Sequence, residues 1–430
     1  MNGFSNVESR IIDPVFDRAN LRVEFRLPSM SAFLSDLRLI NVGMTSTNAT
    51  DSPNPLLGIL GAIKRVSILD GSTQLDAINL ATVYNAFKNA NTDNDSNLSV
   101  NRFLKFVELG YVAQGNYTID TNQIQRDDIT FDTQNPITYT GSALNSKKSW
   151  LSLKDLLPFL RSSLVLPTTV FKNLRVVVEY NSASAMQYLT EDSTATKSTN
   201  ADALLLCSEI GDGDMKDALM REYKGVVYRP IETEQVVAPP ITGMTNVAGN
   251  GTKKQLNNYR LTGYTGKKLI RLAVVQTPTD SATWLNGSDV EGYADVGSVA
   301  QYQTETQLIV NGSAKLPSAG MVGSATATGA NRRLAYLTDT WGVFNTIPCQ
   351  NWINFNDGGN FYEDDTTIGE MDYLGIMVDE NIAELRLNYN RTGIFGNAKQ
   401  NQQLLLNIFG EVEKAVVMNK DMSYNVIYTQ

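Results

Sequence analysis

The sequence predicts an all-β protein with short helices, built from two β-sandwiches in tandem. Three observations lead to this prediction. Short runs of alternating or continuous apolar residues, typical of strands, recur along the 430 residues between turns rich in Gly, Asn and Asp. The same hairpin signal occurs once in each half, at Asp70-Gly71 and at Asn311-Gly312. Between the halves, the strand pattern is interrupted over residues 211–225.

The first strand of the core follows a polar, turn-rich segment. We interpret residues 1–20, which contain Asp13-Pro14, as an N-terminal arm. From Leu21 to Leu27, apolar and charged side chains alternate with a period of two residues. This pattern predicts a strand with one buried and one solvated face.

Further strands and three short helices are predicted in the first half. The strands are Leu37–Met44, Ile63–Leu69, Thr73–Ile78 and Val170–Tyr180. The last should lie in the middle of a sheet, because its run of valines can bury both faces. Helical spacing predicts helices from Leu80 to Phe87, after Ser99, and from Leu153 to Leu160, the third with Ser152 as its cap. The polar segment 188–202 is expected to be an exposed loop.

The middle of the chain indicates where one unit ends and the next begins. Leu204–Ile210 is predicted to be the last strand of the first unit. A helix follows, with Asp214 as a cap and Gly225 as a stop. The expected domains are therefore an arm at 1–20, a first β-unit at 21–212, a connecting helix at 213–225 and a second β-unit at 226–430.

The second half repeats the pattern of the first. Its predicted strands are Leu269–Val275, Leu308–Val310, Leu404–Phe409, Val412–Met418 and Tyr424–Tyr428. The segment Ile68-Leu69-Asp70-Gly71-Ser72 matches Ile309-Val310-Asn311-Gly312-Ser313 position for position. A weaker match joins Leu174-Arg175 to Leu385-Arg386. Similar segments in the same order favour a duplicated sandwich over two unrelated domains.

Composition excludes several classes of function. A hydrophobic fraction of 42% allows large cores and excludes disorder as the dominant state. The net charge of −9, without a stripe of Lys and Arg, opposes direct binding to nucleic acid. The chain contains no His, so Ser-His-Asp, Cys-His and His-zinc chemistry are impossible. The two cysteines, Cys207 and Cys349, form neither a metal motif nor a disulfide framework.

Targeting signals are also missing from the sequence. No apolar run reaches the length of a membrane span. The first residues, MNGFSNVESR, resemble neither a secretory signal nor a myristoylation site. We therefore expect the protein to have no transmembrane segment. We also expect that it carries no secretory signal and is synthesised inside a cell.

Three loops superficially resemble ligand sites. Residues 93–97 resemble a calcium loop, but Leu98 and Leu104 occupy the positions of the required Gly and Glu. Residues 249–254 lack the glycine spacing of a phosphate loop. The acidic loop Glu363, Asp364 and Asp365 could hold a cation between subunits, although a solvated loop is the simpler interpretation. We therefore predict no catalytic, cofactor-binding or metal-binding residue and no cofactor.

The order of several segments resembles that of a known family. These segments are LRVEFRLP, IKRVSILDGSTQLD, LLPFLRSSLVLP before FKNLRVVVEYN, ELRLNYNRTG and the C-terminal LNIFGEVEKAVVMNKDMSYNVIYTQ. Together they resemble the double jelly-roll major capsid proteins of double-stranded DNA viruses, and among these the proteins of polinton-like viruses and virophages. The resemblance spans nearly the whole chain.

This resemblance implies a fold and a function. The fold would be two tandem eight-stranded jelly rolls, and the protein would be a viral major capsid protein located in the virion, not an enzyme. Homotrimers with a pseudo-hexameric outline would tile an icosahedral shell around double-stranded DNA. The partners would be other copies of the chain, penton proteins and minor capsid or cement proteins. Three alternatives remain open: a minor capsid protein of the same fold, a β-sandwich carbohydrate-binding module and a glycosidase built on sandwiches.

The lack of His also leads to an expectation about pH. No side chain has an unperturbed pKa between 5 and 8. From sequence alone, the assembly of the protein should therefore change little within that range.

Overall fold

The computed structural model of the protein shows a chain composed mostly of β-strands. It describes residues 7–17, 21–40, 44–46, 62–81, 83–84, 150–182, 196–199, 203–240, 252–278, 302–315, 321–323, 373–394, 403–421 and 423–429. Two α-helices lie wholly within these ranges, α1 at Pro158–Ser162 and α2 at Gly213–Glu222, and Ala81, Val83 and Tyr84 are helical as well.

The first half contains thirteen described strands. They are β1 (Val7–Ile12), β2 (Val15–Asp17), β3 (Arg22–Arg26), β4 (Ala32–Leu34), β5 (Arg38–Ile40), β6 (Met44–Ser46), β7 (Ile63–Asp70), β8 (Thr73–Ile78), β9 (Trp150–Ser152), β10 (Val165–Pro167), β11 (Leu174–Tyr180), β12 (Lys197–Thr199) and β13 (Leu204–Ile210). One sheet has the order β2-β3-β11-β7-β8. In the other sheet, β13 pairs with β1 on one side and with β4 and β5 on the other, while β9 pairs with β5. As predicted, β11 is a central strand.

The second half also forms two main sheets. Its strands are β14 (Gly225–Tyr228), β15 (Ile231–Ala238), β16 (Thr252–Gln255), β17 (Asn258–Arg260), β18 (Lys268–Pro278), β19 (Tyr302–Val310), β20 (Ser313–Ala314), β21 (Met321–Gly323), β22 (Tyr373–Asn381), β23 (Leu385–Ile394), β24 (Leu404–Val412), β25 (Lys414–Met418) and β26 (Tyr424–Tyr428). One sheet has the order β15-β24-β18-β22, and the other has β16-β23-β19-β20 with β17 also on β23.

The two halves share one pattern of strand pairing. In each half, an early strand pairs with a long strand near its end, β1 with β13 and β15 with β24, while β14 lies outside this pattern and pairs with β25. In the opposite sheet, β3 pairs with β11, and β16 and β17 pair with β23. The hairpins β7–β8 and β19–β20 then extend that second sheet in both halves. This connectivity is an eight-stranded jelly roll, and the chain contains it twice in tandem.

The predicted arm contributes strands to the first roll. Val7–Ile12 pairs along its whole length with β13 and takes the place that β15 takes in the second roll. The segment predicted as a loop at 188–202 contains one short strand, Lys197–Thr199, which pairs with β6. The domain boundaries remain a proposal, in which we now place the start of the first roll at Val7 and not at Leu21.

The two matched hairpins occupy equivalent places but use different turns. In the second roll, Val310 pairs with Ser313. Both residues of the turn have positive φ, 50° at Asn311 and 83° at Gly312, as a type I′ turn requires. The prediction of an Asn-Gly hairpin is confirmed for this roll.

In the first roll the turn is displaced by one residue. Asp70 is the last paired residue of β7 and pairs with Thr73, so Gly71 is the first residue of the turn. Gly71 has φ 57°, and no positive φ occurs at the residue after it, which is the pattern of a type II′ turn. The Asp70 carboxylate accepts hydrogen bonds from the Asn173 N–H at 2.6 Å and the Tyr424 hydroxyl at 2.7 Å. These contacts from distant segments keep Asp70 in the strand.

The helical segment after β9 differs from its prediction. A single helix from Leu153 to Leu160 was expected, but the structure has a 3-10 turn at Leu153–Asp155 and a separate helix α1. The Ser152 side chain makes no capping hydrogen bond. Pro158 is the first residue of α1, where its lack of an N–H costs nothing. The predicted helix from Leu80 to Phe87 is helical at its described residues Ala81, Val83 and Tyr84, and the Tyr84 N–H donates to the Leu80 carbonyl at 3.0 Å. The helix predicted after Ser99 lies outside the described residues.

Helix α2 connects the two rolls and begins as a capped helix. The cap is Asp212, which has extended backbone angles and accepts a hydrogen bond from the Met215 N–H at 3.0 Å. The predicted cap, Asp214, lies inside the first helical turn and is wrong for this role. Gly225 does not stop the helix but lies in β14 with φ 104°, where a Cβ atom would be 1.9 Å from the Val416 carbonyl oxygen.

Candidate functional site

The two rolls meet in a shared hydrophobic core, which we call the junction. The buried core of the first roll includes residues contributed by the second half of the chain, among them Tyr228, Phe409 and Val416. The Tyr228 ring lies edge-on to Phe159 of α1, with 5.3 Å between ring centroids. Phe409 contacts Tyr84 with a centroid distance of 5.2 Å. Because burial of such aromatic side chains dominates core energetics, the junction should join the rolls tightly.

The C-terminal strands form part of the junction. Strands β14, β25 and β26 make a three-stranded sheet, and partly buried side chains of this sheet pack on the core of the first roll. Tyr424 of β26 contacts the Phe171 ring at a centroid distance of 5.0 Å and donates to Asp70. The end of the chain is thus attached to the first roll, although it follows the second roll in sequence.

A group of charged side chains lies beside this sheet. It consists of Glu232, Lys267, Lys414 and Tyr428, which we call the ion cluster. Glu232 accepts hydrogen bonds from the Tyr428 hydroxyl at 2.5 Å and from Lys267, and pairs with Lys414 at 3.2 Å. The ammonium groups of Lys267 and Lys414 lie 4.5 Å and 4.6 Å from the centroid of the Tyr428 ring. Such cation–π contacts hold the two lysines near the ring.

The ion cluster keeps Glu232 ionised. Burial disfavours the carboxylate, but hydrogen bonds from Lys267 and Tyr428 and the positive charges of Lys414 and Lys267 outweigh burial. The pKa of Glu232 therefore lies below its ordinary value. Both lysines are largely buried, with side-chain exposures of 17% and 8%, so removal of Glu232 would leave two cations without their anion.

Asp76 on β8 is the most unusual titratable group of the junction. Its side chain is buried, and its two carboxylate oxygens accept the Ala77 and Phe159 N–H groups, each at 2.8 Å. The hydrogen bond from the Phe159 N–H caps the start of α1. The sequence had indicated Ser152 as the cap of the predicted helix, but its side chain makes no such bond. Burial raises the pKa of Asp76 to about 7, although the two N–H groups and the charge of Lys414 oppose this shift.

The amino-acid composition accounts only for unperturbed groups, and burial brings the pKa of Asp76 into the range between 5 and 8. The expectation that assembly changes little with pH remains a prediction. The sequence contained a signal that could have indicated this buried carboxyl group, since Asp76 stands within an apolar run, Leu75 to Ile78. Lys414 likewise precedes the apolar run of β25. Charged residues inside such runs are paired when buried, but their partners cannot be identified from sequence.

A groove of about 340 Å³ opens beside the junction and is lined by residues of both rolls. Its charged side chains have partners within the chain. Arg271 pairs closely with Glu411, and Arg229 lies 3.7 Å from Glu413. Arg161 donates to a backbone carbonyl through two of its nitrogens. Each of these contacts lies within one half of the chain, so they fix the walls of the groove and do not link the two rolls.

Most residues of the loops that resemble ligand sites lie outside the described part of the chain. The acidic loop Glu363, Asp364 and Asp365, the calcium-like loop 93–97 and Cys349 lie outside the described residues. Of the phosphate-like loop, Thr252–Gln255 forms β16 and pairs with β23. Within the described ranges, no three His, Cys, Asp or Glu side chains converge as a metal site would need.

Two further features concern reactivity and membranes. Cys207 is a buried free cysteine, and burial raises the pKa of its thiol to about 11. None of the helices in the described part of the chain is long and apolar enough to cross a membrane.

Comparison with known proteins finds similarity in structure but not in sequence. No protein-family model and no curated protein sequence matches the chain. Among solved structures, VP54 of the virus PBCV-1, fitted into a cryo-EM reconstruction of the virophage Sputnik, has a TM-score of 0.58 at 9% identity. That match covers 100% of this chain and 98% of VP54.

Two structures of major capsid proteins are also similar. The mavirus protein has a TM-score of 0.50 at 9% identity and covers 99% of this chain and 90% of its own. The Faustovirus protein has a TM-score of 0.50 at 8% identity, with coverages of 96% and 90%. The similarity therefore extends over both rolls and their connection.

Proposed function

We infer that this chain, which has the double jelly-roll fold of viral major capsid proteins, is itself a structural subunit of a viral capsid. The observation that carries the proposal is the repeated jelly-roll topology, joined by α2 and matched over the full chain by capsid proteins. A fold alone does not define a function, so the proposal also rests on the character of the junction. Hydrogen bonds from the Tyr228 hydroxyl to the Leu75 carbonyl and from the Tyr424 hydroxyl to Asp70 cross between the two halves and hold the rolls together.

The proposed assembly is a homotrimer with cyclic three-fold symmetry. Each subunit contributes two rolls of the same connectivity, so three subunits present six similar units around one axis. Such a pseudo-hexameric capsomer could occupy a six-fold position in an icosahedral lattice around double-stranded DNA. Heterologous contacts around a three-fold axis close into a ring. Obligate interfaces of this kind typically bury about 2,000 Å² or more, so the trimer should resist dilution.

A capsid role also implies a location and a set of partners. The proposed location is the virion, and the proposed partners are further copies of the chain, penton proteins and minor capsid or cement proteins. With a net charge of −9, the chain should not hold DNA by sequence-specific contacts of its own. We propose no enzymatic activity.

The alternative of a carbohydrate-binding module requires a different surface. Such a module presents exposed aromatic rings that stack on sugars. In the described part of the chain, the exposed large hydrophobic side chains are aliphatic or Met, for example Val227, Leu256 and Ile427. This composition favours protein contacts over sugar stacking.

The oligomeric state tests the proposal. Light scattering on the purified chain at low micromolar concentration should give three times the chain mass of 47.3 kDa. Electron microscopy of the same sample should show particles with a hexagonal outline. A stable monomer of 47.3 kDa would contradict the capsid proposal. A trimer present in a few copies per particle would instead indicate a minor capsid protein.

A further inference from the structure

The outer face of one sheet in the first roll carries apolar side chains. On β13, Leu205 belongs to the core of the first roll. Its neighbours Leu204 and Leu206 therefore point outward, because successive side chains of a strand alternate between its faces. Leu206 pairs with Ile11 of β1, and Leu204 pairs with Ile40 of β5. Ile11 is 60% exposed and the other three are partly exposed, and we call these four residues the apolar patch.

The second roll has polar side chains at the equivalent place. When the strand pairs β1–β13 and β15–β24 are aligned from the first paired residue of β1 and of β15, Gln235 takes the position of Ile11 and Asn407 that of Leu206. The Gln235 amide donates to the Asn407 carbonyl oxygen at 2.6 Å. Single apolar side chains on a surface are ordinary, but contiguous ones mark contact surfaces. The difference between the rolls therefore points to a partner that covers the first roll here.

The edge of the same sheet also differs between the rolls. Strand β1 pairs with β13 on one side, and no other strand in the described ranges pairs with it. Its counterpart β15 is likewise the edge strand of its sheet, but β8 of the first roll lies against it at the junction. Proteins cover exposed edge strands because such strands pair readily with other chains. Among the described strands, β1 lacks the cover that β15 has.

The internal repeat identifies what would cover β1. In the first roll, β8 ends its sheet as the second strand of the hairpin β7–β8, and in the second roll β20 has this place in the hairpin β19–β20. A second roll that meets a first roll in the geometry of the junction therefore brings β20 against β1. The two rolls of one subunit already meet through β8 and β15. The contact between β20 and β1 is thus left for another copy.

We propose that the apolar patch and the edge of β1 dock the second roll of a neighbouring copy of this chain, with β20 of that copy against β1. This proposal rests on the proposed homotrimer and names the surfaces that close its ring. Each contact between copies then repeats the junction within a subunit. Three copies present three apolar patches to three β20 strands, a heterologous arrangement that closes on itself.

The surroundings of the apolar patch fit a contact driven by apolar burial. On β5, Arg38 is opposite Leu206 and pairs with Asp36 at 2.8 Å. On β1, Arg10 pairs with Glu209 at 2.5 Å. An apolar centre with a polar rim is the usual anatomy of a protein interface. Because these rim arginines have anions of their own, the neighbouring copy needs no matching charge.

A charge placed in the apolar patch tests the proposal. Ile11 is exposed within one subunit, so Ile11→Asp should keep the fold, which circular dichroism checks. On docking, the new carboxylate would be buried without a partner. Sedimentation equilibrium of the full chain should therefore show the dissociation constant of each contact between copies raised about thirtyfold or more relative to wild type.

Leu256→Asp is the matched control. Leu256 is 70% exposed and lies between β16 and β17, at the edge of its sheet opposite β20. This variant should associate as the wild type does. If it dissociates as readily as Ile11→Asp, the apolar patch is not a specific docking surface and the proposal is wrong.

The same measurement separates this proposal from the proposed function. A wild-type chain that stays monomeric would contradict both. A wild-type trimer that Ile11→Asp leaves intact would overturn the docking surface alone, and the capsid proposal would stand.

Cross-linking tests the partner surface directly and covers the case in which Ile11→Asp does not fold. Ser9 of β1 and Ala314 of β20 are exposed, and Cys207 is buried. In a Cys349→Ser background, Ser9→Cys combined with Ala314→Cys should give covalently linked copies with a short bismaleimide. Ser9→Cys combined with Leu256→Cys should give none. Absence of linked copies in a trimeric sample of the first variant would overturn the proposal.

Discussion

The two jelly rolls have the same connectivity but bury their cores differently. The core of the second roll is built from its own strands and contains residues such as Leu308, Leu387 and Leu406. The core of the first roll continues into the second half, where Phe409 and Val416 belong to the same cluster. The first roll therefore depends on residues from the second half of the chain.

The hairpins show the same contrast on a smaller scale. The turn of the second roll at Asn311-Gly312 has the conformation that its residues favour locally. The turn of the first roll is displaced because Asp70 is bound by Asn173 and Tyr424. The two rolls share a topology, and the turn that differs is the one bound by residues of the junction.

Truncation of a core side chain should reveal this asymmetry most strongly. Phe409→Ala removes a fully buried ring that contacts Tyr84, and we expect it to lower the free energy of unfolding by about 3–5 kcal/mol. Denaturant unfolding measures the loss. Hydrogen exchange should show reduced protection in both rolls, including β8 and α1 of the first.

Leu387→Ala is the control for Phe409→Ala. Leu387 is equally buried but belongs to the core of the second roll. The expected loss is about 2–5 kcal/mol, with reduced protection in the second roll and little change in the first. If both variants loosen the same strands, the distinction between a shared and a self-contained core is wrong.

Alanine substitution of the two turn glycines should have a smaller effect. Neither substitution meets a neighbouring atom, so the cost comes from the backbone alone. Gly71→Ala places an Ala at the first position of a type II′ turn, where Gly is required, and should cost about 2 kcal/mol. In Gly312→Ala, the Ala must adopt only a left-handed conformation, which should lower the free energy of unfolding by about 1 kcal/mol. Thermal unfolding of both variants measures the difference, and equal costs would contradict the assignment of two turn types.

The smallest expected effect concerns the helix that connects the rolls. Asp212→Ala removes the side chain that caps α2 and should lower the free energy of unfolding by about 1 kcal/mol. Asp214→Ala serves as the control, because Asp214 only adds a negative charge to the first turn and should cost about 0.5 kcal/mol or less. Urea unfolding of the two variants can rank them. If Asp214→Ala lowers the free energy of unfolding more than Asp212→Ala does, then Asp214, and not Asp212, caps α2.

Local patterns were sufficient to predict most of the strands. The predicted segments Ile63–Leu69, Thr73–Ile78, Leu204–Ile210 and Tyr424–Tyr428 are strands in the structure. Alternation and β-branched runs identify strands because each depends on neighbours within a few residues. The prediction was weaker for Arg22–Arg26, where Glu24 on the expected solvated face is buried among three arginines.

The sequence by itself determined most of the strands, the two hairpins and the repeated strand pattern, because these follow from residue periodicity and turn chemistry. Only the tertiary structure decided the state of Asp76, the position of the first turn and the cap of α1. Asp76 caps a helix that begins 82 positions later and faces charges from strands still farther along the chain. Its pKa depends on burial and on those partners, and both exist only after the two rolls have come together.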